Sequence, residues 1–360
     1  MSEKLKLIKP ELSKSGERPL VISGPCSAES EEQVLATARE LAKMGIGVFR
    51  AGIWKPRTRP NSFEGMGSEA LPWLQKVKKE TGMLTATEVA NVWHVKECLR
   101  HGIDILWIGA RTSANPFTMQ EIADSLRGLD IIVFVKNPVN PDLELWIGAL
   151  ERLNKAGITK LAAVHRGFSV YGQNDFRNPP QWEIPIELKR RIPDLPIITD
   201  PSHICGNREL LFSVSQKAMD LNFDGLFIES HINPEVALSD KEQQITPAEL
   251  KNLLSRLIVR NPDAKGAEQI ENLEGLRRQI DQWDDELLRT LGNRMKISEK
   301  IGRYKKEQNI TILQPNRWNE ILEDRLAKGL KLGLSEEFII KLFKDIHQES
   351  INFQTKVMND

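Results

Sequence analysis

Cysteine is scarce: the three residues Cys26, Cys98 and Cys205 are widely spaced and odd in number. That argues against a disulfide framework and for a reducing, cytoplasmic setting. Net charge is absent too, with 50 lysines and arginines against 50 aspartates and glutamates. Neither a nucleic-acid surface nor a polybasic membrane anchor is therefore expected. No apolar run approaches the roughly 20 residues of a membrane span, and Met1 to Pro10 mixes charges without the apolar centre of a secretory leader. No Gly-x-Gly-x-x-Gly turn follows the first apolar run, so the usual mark of an open, doubly wound sheet is missing, although that fold remains the rival reading. At 360 residues the chain has room for about two domains.

What the chain does have is a basic loop. Arg50, Lys55, Arg57 and Arg59 fall within ten positions, interleaved with Pro56, Pro60, Gly65 and Gly67, which forbid both a helix and a long strand. Converging cations on a shaped loop suit small anions such as phosphates and carboxylates, or else form a solvated basic surface. Around this loop the first 260 residues alternate short apolar runs with stretches of helical period. The strand candidates are 20–23, 47–50, 84–88, 105–108, 131–135, 161–164, 197–199 and 225–229. Helical period marks 30–43, 92–100, 143–155 and 208–220. Eight such units over about 240 residues fit an α/β architecture, a (β/α)8 TIM barrel.

A barrel keeps its site at the C-terminal ends of its strands. There the chain places Gly24-Pro25-Cys26, then Arg50 leading to Lys55, Gly109-Ala110-Arg111, Lys136, His165-Arg166, Asp200-Pro201-Ser202-His203, and Glu229 followed by Asp240. Singly each has an ordinary structural explanation, Cys26 as a small buried hydrophobe or His203 as a core histidine. Surface charges have no reason, however, to gather at one end of nearly every strand. Cys26, His203, Glu229 and Asp240 supply one sulfur, one nitrogen and two carboxylates, which suits manganese, iron, cobalt or zinc better than calcium or magnesium. Arg50, Lys55, Arg57, Arg111, Lys136 and Arg166 are more cations than one phosphate needs, so two anionic ligands, or one anionic at both ends, are expected.

Gly24-Pro25-Cys26-Ser27, Lys55-Pro56-Arg57-Thr58, the Ser62–Gly67 stretch, Ile108-Gly109-Ala110-Arg111, Pro201-Ser202-His203 and the run 224–240 together resemble 3-deoxy-D-arabino-heptulosonate 7-phosphate (DAHP) synthase, type I, β subclass, over residues 18–260. The resemblance implies condensation of phosphoenolpyruvate with erythrose 4-phosphate, the entry to the shikimate pathway, with a divalent metal, most readily Mn2+. By position it implies Cys26, His203, Glu229 and Asp240 as metal ligands. Arg50, Lys55, Arg111, Lys136 and Arg166 would hold phosphoenolpyruvate, Arg57 and Thr58 the erythrose phosphate, and Lys55 would also act near its aldehyde. His165 stands where these enzymes usually have Glu, and Ala51-Gly52-Ile53 where they usually have Gly-Gly-Ala. The related octulosonate 8-phosphate synthases share fold and metal set but typically read Lys-Ala-Asn-Arg at positions 55–58.

After Arg260 the character changes. Residues 261–267 read as a polar linker, and from 268 to 308 no proline interrupts a pattern of apolar residues three and four apart. A helix of that length runs on the order of 60 Å. Two shorter helices are expected at 316–328 and 335–358. Three helices, one very long, cannot enclose a core alone, so a homodimer or higher homo-oligomer is expected. At about 100° per residue Arg294 and Lys305 share a face, with Arg277 roughly 100° away.

Residues 268–358 resemble the all-α chorismate mutases of the AroQ type, with Leu276-Arg277, Arg294, Lys305, Arg317, Ser350 and Gln354 at matching spacing. The resemblance implies rearrangement of chorismate to prephenate. Lys305 and Gln354 would hold the ether oxygen, Arg294 the carboxylates, and Arg277 would reach the site of the partner subunit. Gln314 replaces a common acidic residue, and Trp318 a glutamate that normally faces the ether-oxygen lysine. A non-catalytic sensor is therefore the alternative for this domain. About twenty residues precede the first strand, too few for a regulatory domain, so feedback by prephenate through the helical tail is expected.

Overall fold

The computed structural model describes residues 5–10, 12, 19–55, 62–172, 175–261 and 267–359. The chain divides into two compact units, Met1–Pro262 and Asp263–Asp360.

In the first unit, β1 (Leu20–Gly24), β2 (Val48–Arg50), β3 (Leu84–Val89), β4 (Ile105–Ile108), β5 (Ile132–Lys136), β6 (Leu161–His165), β7 (Ile197–Thr199) and β8 (Gly225–Glu229) form a closed barrel in chain order. Every pairing is parallel, and β1 closes the ring on β8. The expected strand limits hold to within one residue at either end. Most strands are buried on both faces, as a parallel sheet covered by helices requires. Inward residues Ile22, Val48, Ile105, Trp107, Phe134, Val164, Ile198 and Phe227 fill the barrel with Leu12, while outward residues pack under the helices in a second, larger cluster.

Those helices are α1 (Glu31–Lys43), α2 (Leu71–Thr81), α3 (Val92–Arg100), α4 (Ala110–Ser113), α5 (Pro116–Ser125), α6 (Leu143–Lys155), α7 (Glu183–Arg191), α8 (Pro201–Cys205), α9 (Leu211–Asp220) and α10 (Pro247–Arg256). Their starts are written in the sequence. Ser30, Asn91, Asn115 and Asp142 each accept a hydrogen bond from a backbone N–H of the first turn, and Thr246 with Glu249 forms a full capping box. The α9 helix starts three residues later than its period implies. Asn207 Oδ1 accepts from the N–H groups of Glu209 and Leu210, an Asx turn that holds them outside the helix.

The second unit consists of α11 (Ala267–Glu307), α12 (Pro315–Lys331) and α13 (Glu336–Asn359). Helix α13 packs on both others. The C-terminal half of α11 contributes buried Met295, Ser298 and Lys305. Its N-terminal half leaves Leu276, Ile280, Trp283, Leu287 and Leu288 exposed at 52–70%.

Gly24 shows how tightly the strand ends are packed. It has φ +151°, and an added Cβ would lie 2.0 Å from Arg50 O. Gly148, inside α6, has open space at the same position. We expect Gly24→Ala to cost about 3 kcal/mol or more and Gly148→Ala to gain about 0.5–1 kcal/mol, read as opposite shifts of the calorimetric melting temperature.

Candidate functional site

The barrel register brings the C-terminal strand ends together. Gly24 lies beside Glu229, so Cys26 follows onto the same rim, and Arg50 ends the neighbouring strand. Arg50 is 1% exposed and Glu229 fully buried. The guanidinium donates from Nη1 to Glu229 Oε1 at 2.9 Å and from Nη2 to Cys26 O at 3.1 Å. Its charge lies 4.8 Å from the Trp107 ring centre and 4.9 Å from that of Phe227. Lys136 Nζ lies 5.0 Å from the same Phe227 ring centre and donates to Asp200 Oδ2 at 2.7 Å. Asp200 also caps α8 by accepting from His203 N. Burial alone would raise the carboxyl pKa of Asp200, but His203 and Lys136 hold it far below the ordinary range.

Cys26 Sγ and carboxylate oxygens of Glu229 and Asp240 lie within 4.8 Å of one another. One cation with bonds of about 2.0–2.3 Å spans at most about 4.6 Å, so no more than a small inward movement brings the three onto it. Cys26 Sγ is 3.3 Å from Asp240 Oδ2 and 3.0 Å from Lys55 Nζ. His203 borders the three: its Nδ1 stands 2.9 Å from Asp200 Oδ2 and 3.9 Å from Glu229 Oε1, without a well-aligned hydrogen bond to either. Burial lowers its pKa, which favours the neutral ring and the lone pair a metal ligand must offer. Burial, reinforced by Glu229 and Asp240, pushes the Cys26 thiol up to about 12. A thiol so disfavoured as a thiolate needs a strong local positive charge to ionise, and the two carboxylates beside it are ligands for the same charge. The donor set fits a divalent transition metal.

Beside this cluster a cavity of about 160 Å³ is lined by Lys55, Glu88, Gly109, Ala110, Arg111, Lys136, Arg166, Arg177, His203 and Asp240. Five cations face two carboxylates there, so the cavity is built for an anion. Arg166 donates to Asn178 Oδ1 at 2.7 Å, and burial lowers its pKa to about 10. Burial works against the Lys55 ammonium, but Cys26 and Glu229 outweigh it and hold its pKa above the ordinary lysine value. Arg50, expected among the phosphoenolpyruvate contacts, does not line this cavity. Arg57 and Thr58 lie outside the described residues. His165 is fully buried, with Nε2 2.6 Å from Pro180 O, so that departure also stays off the cavity wall.

Sequence reasoning missed Glu88, Arg177 and the stack of Trp54 on His94. Glu88 ends the third strand run and accepts from Trp107 Nε1 at 3.0 Å; the rule applied to the other strand ends would have found it. Arg177 sits in irregular chain and offered no periodic signal. The Trp54 and His94 rings lie 3.9 Å apart and 6° from parallel, which fixes the residue before Lys55. Burial pushes His94 down to about 4, so that stack is uncharged near neutral pH.

In the helical unit, Arg294 Nη1 donates to Ser350 Oγ. Lys305 Nζ donates to Ile312 O at 2.6 Å, and Gln354 keeps its Oε1 buried and unpartnered. Arg294 and Ser350 meet where α11 packs on α13, and Gln354 lies on the same seam, against Gly302. Arg277 stands 17 residues before Arg294, about 25 Å along the helix, and pairs with Glu274 at 2.6 Å. Arg317 is exposed and pairs with Glu320 at 2.9 Å. Trp318 stacks on His347 with ring centres 4.0 Å apart, and Gln314 caps nothing with its side chain at the start of α12.

Comparison with known proteins agrees with both units. The description of the DAHP synthetase I family matches residues 8–261, and that of chorismate mutase type II matches residues 276–355. Phospho-2-dehydro-3-deoxyheptonate aldolase of Thermotoga maritima is 32% identical over 237 residues, covering 66% of this chain and 68% of that protein. The 2-dehydro-3-deoxyphosphooctonate aldolase of Geobacter sulfurreducens is 30% identical over 268 residues, covering 67% and 92%. The crystal structure of the Thermotoga maritima DAHP synthase superposes with a TM-score of 0.60 at 31% identity, covering 65% of this chain and 67% of that one. A truncated form of 3-deoxy-D-arabino-heptulosonate 7-phosphate synthase from the same organism gives 0.57 at 28% identity, covering 65% and 83%. The chain therefore belongs to the DAHP synthetase I family and carries a chorismate mutase type II domain after its barrel, a bifunctional transferase and isomerase of aromatic amino acid biosynthesis.

Proposed function

We propose that the barrel, residues 1–260, condenses phosphoenolpyruvate with erythrose 4-phosphate, and that the helical domain, 268–360 beyond a linker at 261–267, rearranges chorismate and senses prephenate. The observation that carries the first half is the Cys26, Glu229, Asp240 cluster opening onto a cavity with five cations. Lys136, Arg111 and Arg166 take the carboxylate and phosphate of phosphoenolpyruvate, and Arg57 and Thr58 the distal phosphate of the sugar. Arg50 holds Glu229 in place from the buried side. A divalent transition metal on Cys26, His203, Glu229 and Asp240 would supply Lewis acidity toward the sugar aldehyde. Lys55 lies at the junction of the two subsites and offers a proton or a positive charge as the aldehyde becomes a hydroxyl. C3 of phosphoenolpyruvate attacks that carbon, water adds at C2, and cleavage of the C–O bond releases phosphate. The fixed cations stabilise charge as it moves and need no reorganisation to do so.

The Lys55-Pro56-Arg57-Thr58 sequence favours the four-carbon sugar phosphate over the five-carbon substrate of the octulosonate enzymes. We place the protein in the cytoplasm, where its three free, buried cysteines stay reduced.

In the helical domain, Arg294 binds a carboxylate and Lys305 with Gln354 the ether oxygen. The set is completed by Arg277 of the partner subunit. The bare apolar half of α11 supports this pairing, because residues 50–70% exposed on a long helix are covered at low cost by a second copy of the same face. Trp318, stacked on His347, offers no carboxylate to Lys305, and this favours weak turnover with binding retained. A ligand bridging two subunits would bias the arrangement of the attached barrels, a coupling typically worth about 1–3 kcal/mol. Among the described residues, no helix is long and apolar enough to cross a membrane.

Three outcomes are expected. Chelation abolishes synthase activity and Mn2+ restores it, while Cys26→Ser weakens Mn2+ affinity in equilibrium dialysis, since a hydroxyl replaces a soft ligand. Lys55→Ala removes synthase turnover and spares chorismate consumption, whereas Arg294→Ala does the reverse; loss of both activities in either variant would contradict two independent sites. Prephenate inhibits the synthase of the wild-type chain in a titration, and Arg294→Ala raises the half-inhibiting concentration at least tenfold.

A further inference from the structure

Asp240 has a left-handed backbone, φ +45° and ψ +39°. A residue other than glycine keeps that conformation where its neighbours hold it. Arg177 Nη1 donates to Asp240 Oδ1 at 3.0 Å and to Gln243 Oε1 at 2.9 Å. Gln243, 1% exposed, passes the contact on by donating from Nε2 to Glu229 Oε2 at 2.7 Å. The next residue, Gln244, is fully buried. Its Oε1 accepts from Cys26 N at 2.8 Å, and its Nε2 donates to Ser239 O, also at 2.8 Å. The two adjacent glutamines thus reach all three members of the ligand cluster. One joins the carboxylates through Arg177, and the other ties the backbone at Cys26 to the residue before Asp240.

We propose that Arg177 and Gln243, supported by Gln244, are positioning residues that set the separation and orientation of Asp240, Glu229 and Cys26 for metal binding. This rests on the metal reading above. The residue types follow from the charges on either side. Gln243 faces a guanidinium and a carboxylate at once, and a neutral amide is the group that accepts from one and donates to the other. A glutamate there would set a second carboxylate against Glu229, and an aliphatic side chain would strand a buried carboxylate oxygen. Arg177 is itself seated on α8, the helix that carries His203. Its N–H donates to Cys205 O at 3.2 Å, and its side chain packs on Gly206, where a Cβ would come within 2.5 Å of Arg177 Cβ. The β6–α7 segment, the His203 helix and the Asp240 turn are thereby fixed to one another through a single residue, its backbone and stem on the helix and its guanidinium on the turn. The same guanidinium lines the anion cavity, so it touches both the ligand set and the substrate space. Removing a partner that orients a metal ligand typically costs 10–100-fold in affinity.

The test uses the full-length, metal-stripped protein. Mn2+ dissociation constants are measured by equilibrium dialysis, and Co2+ is added to record its d–d and thiolate charge-transfer absorption. Gln243→Leu and Arg177→Met are expected to weaken Mn2+ binding 10–100-fold and to shift the Co2+ bands, with Arg177→Lys recovering part of the loss. Arg177 has a side chain 51% exposed, so its variants decide the matter should Gln243→Leu fail to fold. Mn2+ affinity within twofold of wild type with unaltered Co2+ bands in Arg177→Met would overturn the proposal. So would a lower melting temperature of the metal-free variant with no change in affinity, which marks a purely structural role. A wild-type chain that binds neither ion would overturn the metal reading, and this proposal with it.

Discussion

A guanidinium placed inside a barrel of apolar side chains dictates much of what surrounds it. Arg50 is buried against the rings of Trp107 and Phe227, and desolvating a charge there is costly unless an opposite charge and hydrogen-bond acceptors meet it. Glu229 and the Cys26 carbonyl supply them. Their position is in turn fixed by the parallel register that sets Gly24 beside Glu229 and by the absence of a side chain at Gly24, which lets the β1 backbone approach Arg50 O. The pair contributes little net stability, since buried ion pairs roughly break even with apolar replacements. What it does is leave one alternative arrangement far more costly than the native one. Glu229 is therefore held ionised and oriented before any ligand arrives, with Asp240 and Cys26 gathered against it.

The same reasoning orders the cations. Lys136 is neutralised by Asp200, and Asp200 is occupied by capping the helix that presents His203. Lys55 is balanced by the Cys26, Glu229 side. Cations without such partners at these positions would repel one another and distort the rim. With the partners in place, the excess positive charge is directed into one small cavity, where an anionic substrate completes the balance. In the helical unit the equivalent constraint is unmet within one chain: Arg294 finds Ser350, but Arg277 stands about a helix half-length away and the apolar face beside it is bare.

Much of this was legible in the residues because local rules and the global fold agree. Helices α3 and α6 begin and end where Asn91, Asp142 and the apolar period place them, and β4, β7 and β8 have the limits their apolar runs imply. Disagreement arose where a side chain competes with the backbone, as Asn207 does ahead of α9. In the candidate site, residues at strand ends were readable because the barrel gives those positions a common address. Arg177 was not, since its value depends on Asp240, 63 positions further on, and no periodicity links the two. Gln243 and Gln244 read as ordinary polar loop residues until the bonds on both ends of each amide are seen. Isolated polar residues in irregular chain carry meaning only through tertiary partners.

Substrate choice divides along the same line. The two kinds of relative, a heptonate aldolase and an octonate aldolase, are 32% and 30% identical to this chain, so percentage identity alone does not separate them. The cavity lies with the ligand cluster and is lined largely by strand-end residues, which the proposed reading assigns to the anion common to both reactions. Discrimination between a four-carbon and a five-carbon sugar phosphate has to come from the distance between the carbonyl and the distal phosphate. One extra carbon moves that phosphate by roughly 1.5 Å, more than a hydrogen bond tolerates without losing its geometry. In the reading proposed above, the Lys55-Pro56-Arg57-Thr58 sequence is what reads that difference. On that reading the chemistry common to both reactions stays on rigid strands, and the stack of Trp54 on His94 fixes the residue before Lys55, where the specificity sequence begins.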